Sequence, residues 1–327
     1  MSFYGSYLPF SETTLKARLL TSLTDHRLLM KKIANALYWL VLIPVLLLAS
    51  CGEEGGLKGV LKISITDAPT DAYDIKSVNL VIRNIEGLQN GQWKTFRNFE
   101  TPAGLNLLNF TGGKAALMVD QYVTPGEYTA LRLSLNMANR NTSLIINPQS
   151  SIVFKNGSSK PIYMKEANEP EIVIQENFGI SSRGLTDLVI DIDARKSILL
   201  NAQGEYELKP SVRFLHTHET GHINLDIINT SLPDGVVAYV YKQGSFSVND
   251  AMPNEDGLSF VQAITSTSIR SEKSGFGFLL SGGYEIVFVR HGISGGVMEF
   301  LGKISGANVT KGEALEVTVD LEQLSPV

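Results

Sequence analysis

Four groups of residues have types and spacings that could do chemistry or bind a ligand. His218-Glu219-Thr220-Gly221-His222 reads H-E-x-x-H, with His216 close by. On a helix, the two histidines of that pattern lie on one face and hold zinc while the glutamate activates the zinc-bound water. Here the residues fall between two strand patterns, and Thr220 and Gly221 are poor helix formers. The pattern therefore reads as a polar linker. Asp67, Asp71 and Asp74 lie within eight residues, and a hard cation such as calcium takes several oxygens from a turn. The stretch lacks EF-hand spacing, and Asp67-Ala68-Pro69 is more simply a strand end where Asp accepts backbone N–H groups. Asp191 and Asp193, two apart, share one strand face and could pair as a carboxylate dyad. A solvated face, or a cap on the turn at Arg195-Lys196, is the simpler reading. Trp93, Tyr122, Tyr163, Tyr239 and Tyr241 could stack on a sugar. Alternation, however, puts Tyr239 and Tyr241 on one strand face, where core packing is the commoner use. There is no G-x-S-x-G elbow, P-loop or dinucleotide fingerprint. No catalytic residue, metal ligand or cofactor is expected, and the chain does not read as an enzyme.

One further residue stands apart because of what precedes it. Lys31 and Lys32 are followed by a 14-residue apolar run, Ala36 to Ala49, and then Ser50 and Cys51. A membrane-spanning helix needs roughly 17–25 apolar residues. A charged start, a short apolar run and small residues before a cut site describe a signal peptide, residues 1–50. Met30 is a natural start for it. Leu48-Ala49-Ser50-Cys51 resembles a bacterial lipobox, which implies that Cys51 becomes the lipidated N-terminus. It is the only cysteine in the chain, which excludes an internal disulfide framework or a cysteine metal site. Gly52-Glu53-Glu54-Gly55-Gly56 reads as a flexible tether, residues 51–56. Its acidic Glu53 and Glu54 resemble the surface-export signals of Bacteroidetes lipoproteins.

Composition narrows the class further. The 327 residues are 43% apolar and 19% charged, with a net charge of −5. Removing residues 1–50 takes away five basic and two acidic residues, leaving 23 basic against 31 acidic. An acidic chain of this kind lacks the basic footprint of a nucleic-acid binder.

The elements that must position these residues read as strands throughout. Beyond residue 50 no sustained 3.6-residue period appears, and alternation is frequent. In Leu57–Thr66, Leu61, Ile63 and Ile65 face one way. Val78–Arg83 follows, and Asn90-Gly91 before Trp93 is a two-residue hairpin signal. In Glu127–Asn136, Leu131, Leu133 and Leu135 share a face. Strands are also expected at 171–175, 185–193, 197–201, 206–210 and 212–215, with short helical turns at Leu105–Leu108 and Ala115–Met118. After a boundary at 216–221, seven strand signals follow at 222–229, 236–242, 258–266, 276–281, 284–290, 297–304 and 314–320, which argues a β-sandwich. The expectation is an all-β chain of two antiparallel, Greek-key sandwiches, residues 57–215 and 222–327, joined by a linker.

Two resemblances add to this. Leu61–Pro69 (LKISITDAP), Trp93, Leu105–Asn109, Thr124-Pro125-Gly126-Glu127-Tyr128, Leu188–Ala194 (LVIDIDA) and Gly204–Pro210 occur in the order seen in the DUF4382 family of envelope lipoproteins. That family implies no biochemical activity. Ser274–Phe278, Leu280–Phe288 and Val309–Gly312 resemble the transthyretin-like, carboxypeptidase-regulatory-like domains, also called a carbohydrate-binding-like fold. The resemblance implies a fold and not a ligand. The expected protein is therefore a non-catalytic, lipid-anchored component of the outer membrane, displayed at the surface, with the periplasmic face as the alternative. Its partners would be the membrane, through Cys51, and a glycan or an envelope protein. The alternatives are a structural assembly component and, further off, a hydrolase.

Overall fold

A computed structural model describes residues 56–68, 74–140, 148–164, 170–228, 234–292 and 298–327. The signal segment, Cys51, Glu53, Glu54 and Asp71 lie outside the described residues. Among the described residues no helix is long and apolar enough to cross a membrane.

The first fourteen strands are β1 (Gly59–Ala68), β2 (Ile75–Gln89), β3 (Gln92–Asn106), β4 (Ala116–Val123), β5 (Gly126–Tyr128), β6 (Ala130–Leu135), β7 (Ser151–Phe154), β8 (Ser159–Met164), β9 (Glu171–Ile174), β10 (Phe178–Ile180), β11 (Leu185–Asp193), β12 (Ile198–Leu200), β13 (Tyr206–Leu208) and β14 (Val212–His216). A single four-residue helix, α1 (Ala194–Ser197), follows β11. One sheet runs β14-β11-β1-β4, and a larger one runs β12-β13-β8-β7-β2-β6-β9, with β3 paired to β2. Alternation drives their stacking. Leu61, Ile63 and Ile65 of β1 and Leu188, Ile190 and Ile192 of β11 share one core with Leu131, Leu133 and Leu135 of β6. Each buried aliphatic side chain of this kind contributes about 1.5–3 kcal/mol. The β2–β3 hairpin turns at Asn90 and Gly91, whose φ values of 51° and 74° are those a two-residue turn of matching twist demands.

The remaining strands are β15 (Thr220–Ile228), β16 (Val236–Lys242), β17 (Thr265–Ser268), β18 (Lys273–Leu280), β19 (Gly282–Arg290), β20 (Glu299–Val309) and β21 (Ala314–Asp320). They form a three-stranded sheet, β18-β15-β21, and a four-stranded one, β17-β16-β19-β20. Ile223, Val240, Ile286 and Phe288 fill the space between the two. The other face of the four-stranded sheet is also covered. Tyr239, Tyr241, Val287 and Val289 there pack against Phe260 and Ala263. That double burial makes β16 apolar at nearly every position instead of alternating.

The all-β expectation holds, with mixed sheets: β1 pairs β11, β8 pairs β13 and β15 pairs β21 in parallel. Three local expectations are corrected. Ala115–Met118 is not a helical turn, because β4 starts at Ala116 and pairs with the edge of β1. At Leu105–Leu108, strand β3 continues to Asn106, and the turn, capped by the Asn106 side chain, falls at Leu107–Asn109. The strand expected at 258–266 begins only at Thr265, because Phe260 turns in to stack on Tyr239 at 4.0 Å. Leu57–Val327 forms one compact unit.

Candidate functional site

The outward face of the β14-β11-β1-β4 sheet meets the second set of sheets. Val189 of β11 and Leu215 of β14 are neighbours in register, and Phe278 of β18 closes over them. One step along, Asp191 registers with Arg213. The Arg213 Nε donates to Asp191 Oδ2 at 2.9 Å, and its Nη2 also bonds that oxygen. Its Nη1 crosses the junction to the Phe278 carbonyl at 3.2 Å. A second relay has the same form. Asp193 Oδ1 caps α1 by accepting the Lys196 N–H, while Oδ2 accepts from Arg195 Nη2 at 3.1 Å. Arg195 Nη1 then donates to the Ser259 and Phe260 carbonyls, and Lys196 Nζ donates to the Ala263 carbonyl at 2.6 Å.

Both phenylalanines at the far ends of these relays have left-handed backbone. Phe260 has φ 55° and Phe278 φ 54°, a conformation that costs a non-glycine residue and persists only where surroundings hold it. Here each carbonyl is held by a guanidinium that is itself held by a carboxylate. Glycines let the chains approach at the same junction: a side chain on Gly277 would overlap the backbone of Gly113.

Asp67 sits behind the relays. It is 4% exposed. Its Oδ1 accepts the Ala194 N–H at 2.9 Å, and its Oδ2 has no hydrogen-bonding partner. Burial first, and then the nearby Asp191 and Asp193 charges, pushes its carboxyl well above the usual range. Burial also raises Asp191, against the opposing pull of Arg213. Burial lowers Lys196, against the pull of Asp193.

Beside the relays lies a cleft of about 590 Å³. One wall comes from Ile75, Ile198, Leu199 and Tyr206, the other from Leu258 and Met298, with Arg195, His291 and Asp256 supplying polar groups. His291 bonds the Tyr239 hydroxyl at 2.8 Å, and burial lowers its pKa. The strand β12 lines this cleft and is the end strand of its sheet. A cleft between layers that combines apolar walls with convergent polar groups is a usual ligand-site geometry.

The structure separates most of the residues singled out in the sequence. Asp67 is far from solvent, while Asp74 is exposed. Asp191 and Asp193 share the strand face and the α1 cap that were expected, but that face is buried under the second set of sheets. The H-E-x-x-H stretch is a 3-10 turn at Thr217–Glu219 running into β15, with the His222 ring against Phe278 at 5.7 Å. Pairing of β15 with β18 and β21 overrides any helix there. Among the described residues no three metal-ligating side chains gather. Tyr239 and Tyr241 are fully buried. Arg132 covers one face of the Trp93 ring at 4.3 Å and Arg140 one face of Tyr163 at 4.4 Å. Tyr122 remains open. Sequence reasoning placed Arg195 in the capped turn but missed its contacts to the Ser259 and Phe260 carbonyls, and it missed Arg213 and the cleft. The basic Arg195-Lys196 pair directly after two strand aspartates was the available signal.

This arrangement defines an all-β protein whose stacked, mixed sheets are tied through buried ion pairs. Within it, residues 58–210 match the family model described as Domain of unknown function (DUF4382), the domain that the ordered sequence pieces resemble. No curated protein matches the chain. Among solved structures, the gamma-CGTase from alkalophilic Bacillus clarkii is 12% identical over 73% of this chain and 34% of that one, at a TM-score of 0.22. The present chain thus spans about a third of that protein. GBS52, the minor pilin of Streptococcus agalactiae, is 10% identical over 79% and 94% at a TM-score of 0.18. The fimbrial anchor protein Mfa2 from Porphyromonas gingivalis is 10% identical over 75% and 82% at 0.16. At such scores these likenesses carry no argument about function.

Proposed function

We propose that the protein is a non-catalytic, lipid-anchored envelope protein, held in the outer membrane through Cys51 and displayed at the cell surface, whose junction cleft receives an extended apolar segment of an envelope protein. The 222–327 half then serves as a transthyretin-like domain that forms one wall of the cleft. The observation that carries the reading is the cleft itself. Its lining mixes aliphatic side chains and Tyr206 with polar groups from Asp74, Arg195, Asp256, Ser259 and His291, and the end strand β12 lies along it. Such a lining suits a peptide strand, which adds main-chain hydrogen bonds at a sheet edge and places alternate side chains in pockets. The aspartates that could have served as an acid–base pair are instead engaged by Arg195, Lys196 and Arg213, which favours a binding role over a hydrolytic one.

The test is a photo-crosslinking residue at Leu258 in intact cells, with one at exposed Val248 as control. A discrete protein adduct from position 258 alone is expected. No adduct, together with saturable sugar binding by the purified protein, would replace the protein partner with a glycan. Protease shaving of intact cells, with Cys51→Ala as control, tests display and anchoring. Digestion of the native chain and release of Cys51→Ala as soluble protein are expected. Protection of the native chain would contradict surface display.

A further inference from the structure

The outward face that Phe278 covers at one end is open at the other. There, Val60 of β1 registers with Leu185 of β11 on one side and Tyr122 of β4 on the other. Registered residues point to the same face, so the three form one apolar row across the sheet. Tyr122 is 73% exposed and Leu185 61%. The next row is charged: Lys62 lies between Asp187 and Asp120, with its Nζ 3.8 Å from Asp120. Two residues along a strand advance about 7 Å. The face therefore passes from apolar to charged over roughly the depth to which interfacial groups enter a bilayer, about 5–10 Å.

The row also lies where the chain enters the sheet. Val60 is the second residue of β1, and Leu57, just before it, is 50% exposed. Cys51 precedes Leu57 by six residues, which span at most about 20 Å when extended. Lys58 and Arg183, both exposed, border the row and are joined by the Arg183 N–H to the Lys58 carbonyl at 3.0 Å.

We propose that the row Tyr122–Val60–Leu185 rests on the lipid surface in which Cys51 is anchored, and so fixes how the protein stands on the membrane. This rests on the reading of Cys51 as the lipidated residue. Three side chains are too few to hold a soluble protein on a bilayer. A tether of about 20 Å, however, sets an effective concentration in the millimolar range, where a weak contact suffices to orient what is already attached. Tyrosine suits the headgroup layer, with its ring in apolar surroundings and its hydroxyl in water. Lys58 and Arg183 suit anionic headgroups. The consequence is geometric. β11 begins in the row at Leu185 and runs to Asp193 and α1, roughly 25 Å at strand rise. The row on the bilayer holds Arg195, Ile198 and the cleft they line away from the lipid, open to a partner.

The chain from Cys51 to Val327, coupled through Cys51 to a maleimide lipid in phosphatidylethanolamine–phosphatidylglycerol vesicles, tests this. With Trp93→Phe removing the native fluorophore, Tyr122→Trp and Leu185→Trp each report on the row, and Met252→Trp reports on an exposed site elsewhere. Brominated lipids are expected to quench residues 122 and 185 at least twofold and leave 252 unchanged. Emission at 122 and 185 as red and as unquenched as at 252, on vesicle-bound protein, would overturn the proposal. So would a blue shift without bromine quenching, which would mean a second copy covers the row. The mass of the Cys51 peptide from cells separately decides whether the anchor itself is right.

Discussion

The two ends of one sheet face invert the usual rule of burial. At the Asp191 end, two carboxylates and the Arg195 guanidinium are buried, and Arg213 is half-buried, under β18 and the segment around Phe260. At the Val60 end, a tyrosine and a leucine stand in the open on either side of a half-buried valine. Taking charges from water costs several kcal/mol per ion even after relaxation, so the junction is not the cheapest way to join two sets of sheets. It does specify a geometry, because each guanidinium must meet a carboxylate on its own side and a carbonyl across the junction at once. Among the described residues, the apolar end has no such partner. One end is built to fix an internal arrangement and the other to meet something outside it.

The largest expected effect comes from breaking a relay. Arg195→Ala leaves Asp193 buried without its guanidinium and the Phe260 carbonyl without its donor. The expected loss is about 3–5 kcal/mol, measured by urea unfolding. Arg213→Ala should cost less, because the Arg213 side chain is 27% exposed and water can replace it in part. Gly277→Val forces a side chain into the Gly113 backbone and should cost about 1–3 kcal/mol. Asp67→Asn should act in the opposite direction. Burial raises the Asp67 carboxyl in the folded state, so its contribution is fully present below the unfolded value near pH 4 and is lost as pH rises through the folded value. The amide stays neutral throughout. The variant should therefore match the native chain near pH 4 and exceed it by about 1–3 kcal/mol at pH 8, the scale of a buried polar mismatch. The smallest effect is at the open end: Tyr122→Ser and Leu185→Ser should change stability in solution by no more than about 0.5 kcal/mol while abolishing the vesicle contact.

Much of the fold was legible because alternation survives wherever a sheet has one wet face. Leu61, Ile63, Ile65, Leu131, Leu133 and Leu135 all fall where period two puts them, and Asn90-Gly91 turns the hairpin it should. β16 and β21 match their expected bounds. The reading failed where tertiary contacts decide. Ala115–Met118 has no strand signal apart from the β1 edge it pairs with, and Phe260 leaves an apolar run because an aromatic pocket receives it. The junction was half visible. Asp193 caps the Arg195-Lys196 turn as its position suggested, but nothing local shows that both arginines end on carbonyls some 65 residues away in sequence.

The claim that the two relays join the sheets into one cooperative body is tested most directly by scanning calorimetry of residues 51–327. The native chain should unfold in a single transition, and Arg195→Ala with Arg213→Ala should split it into two. Two separate transitions in the native chain would contradict the account.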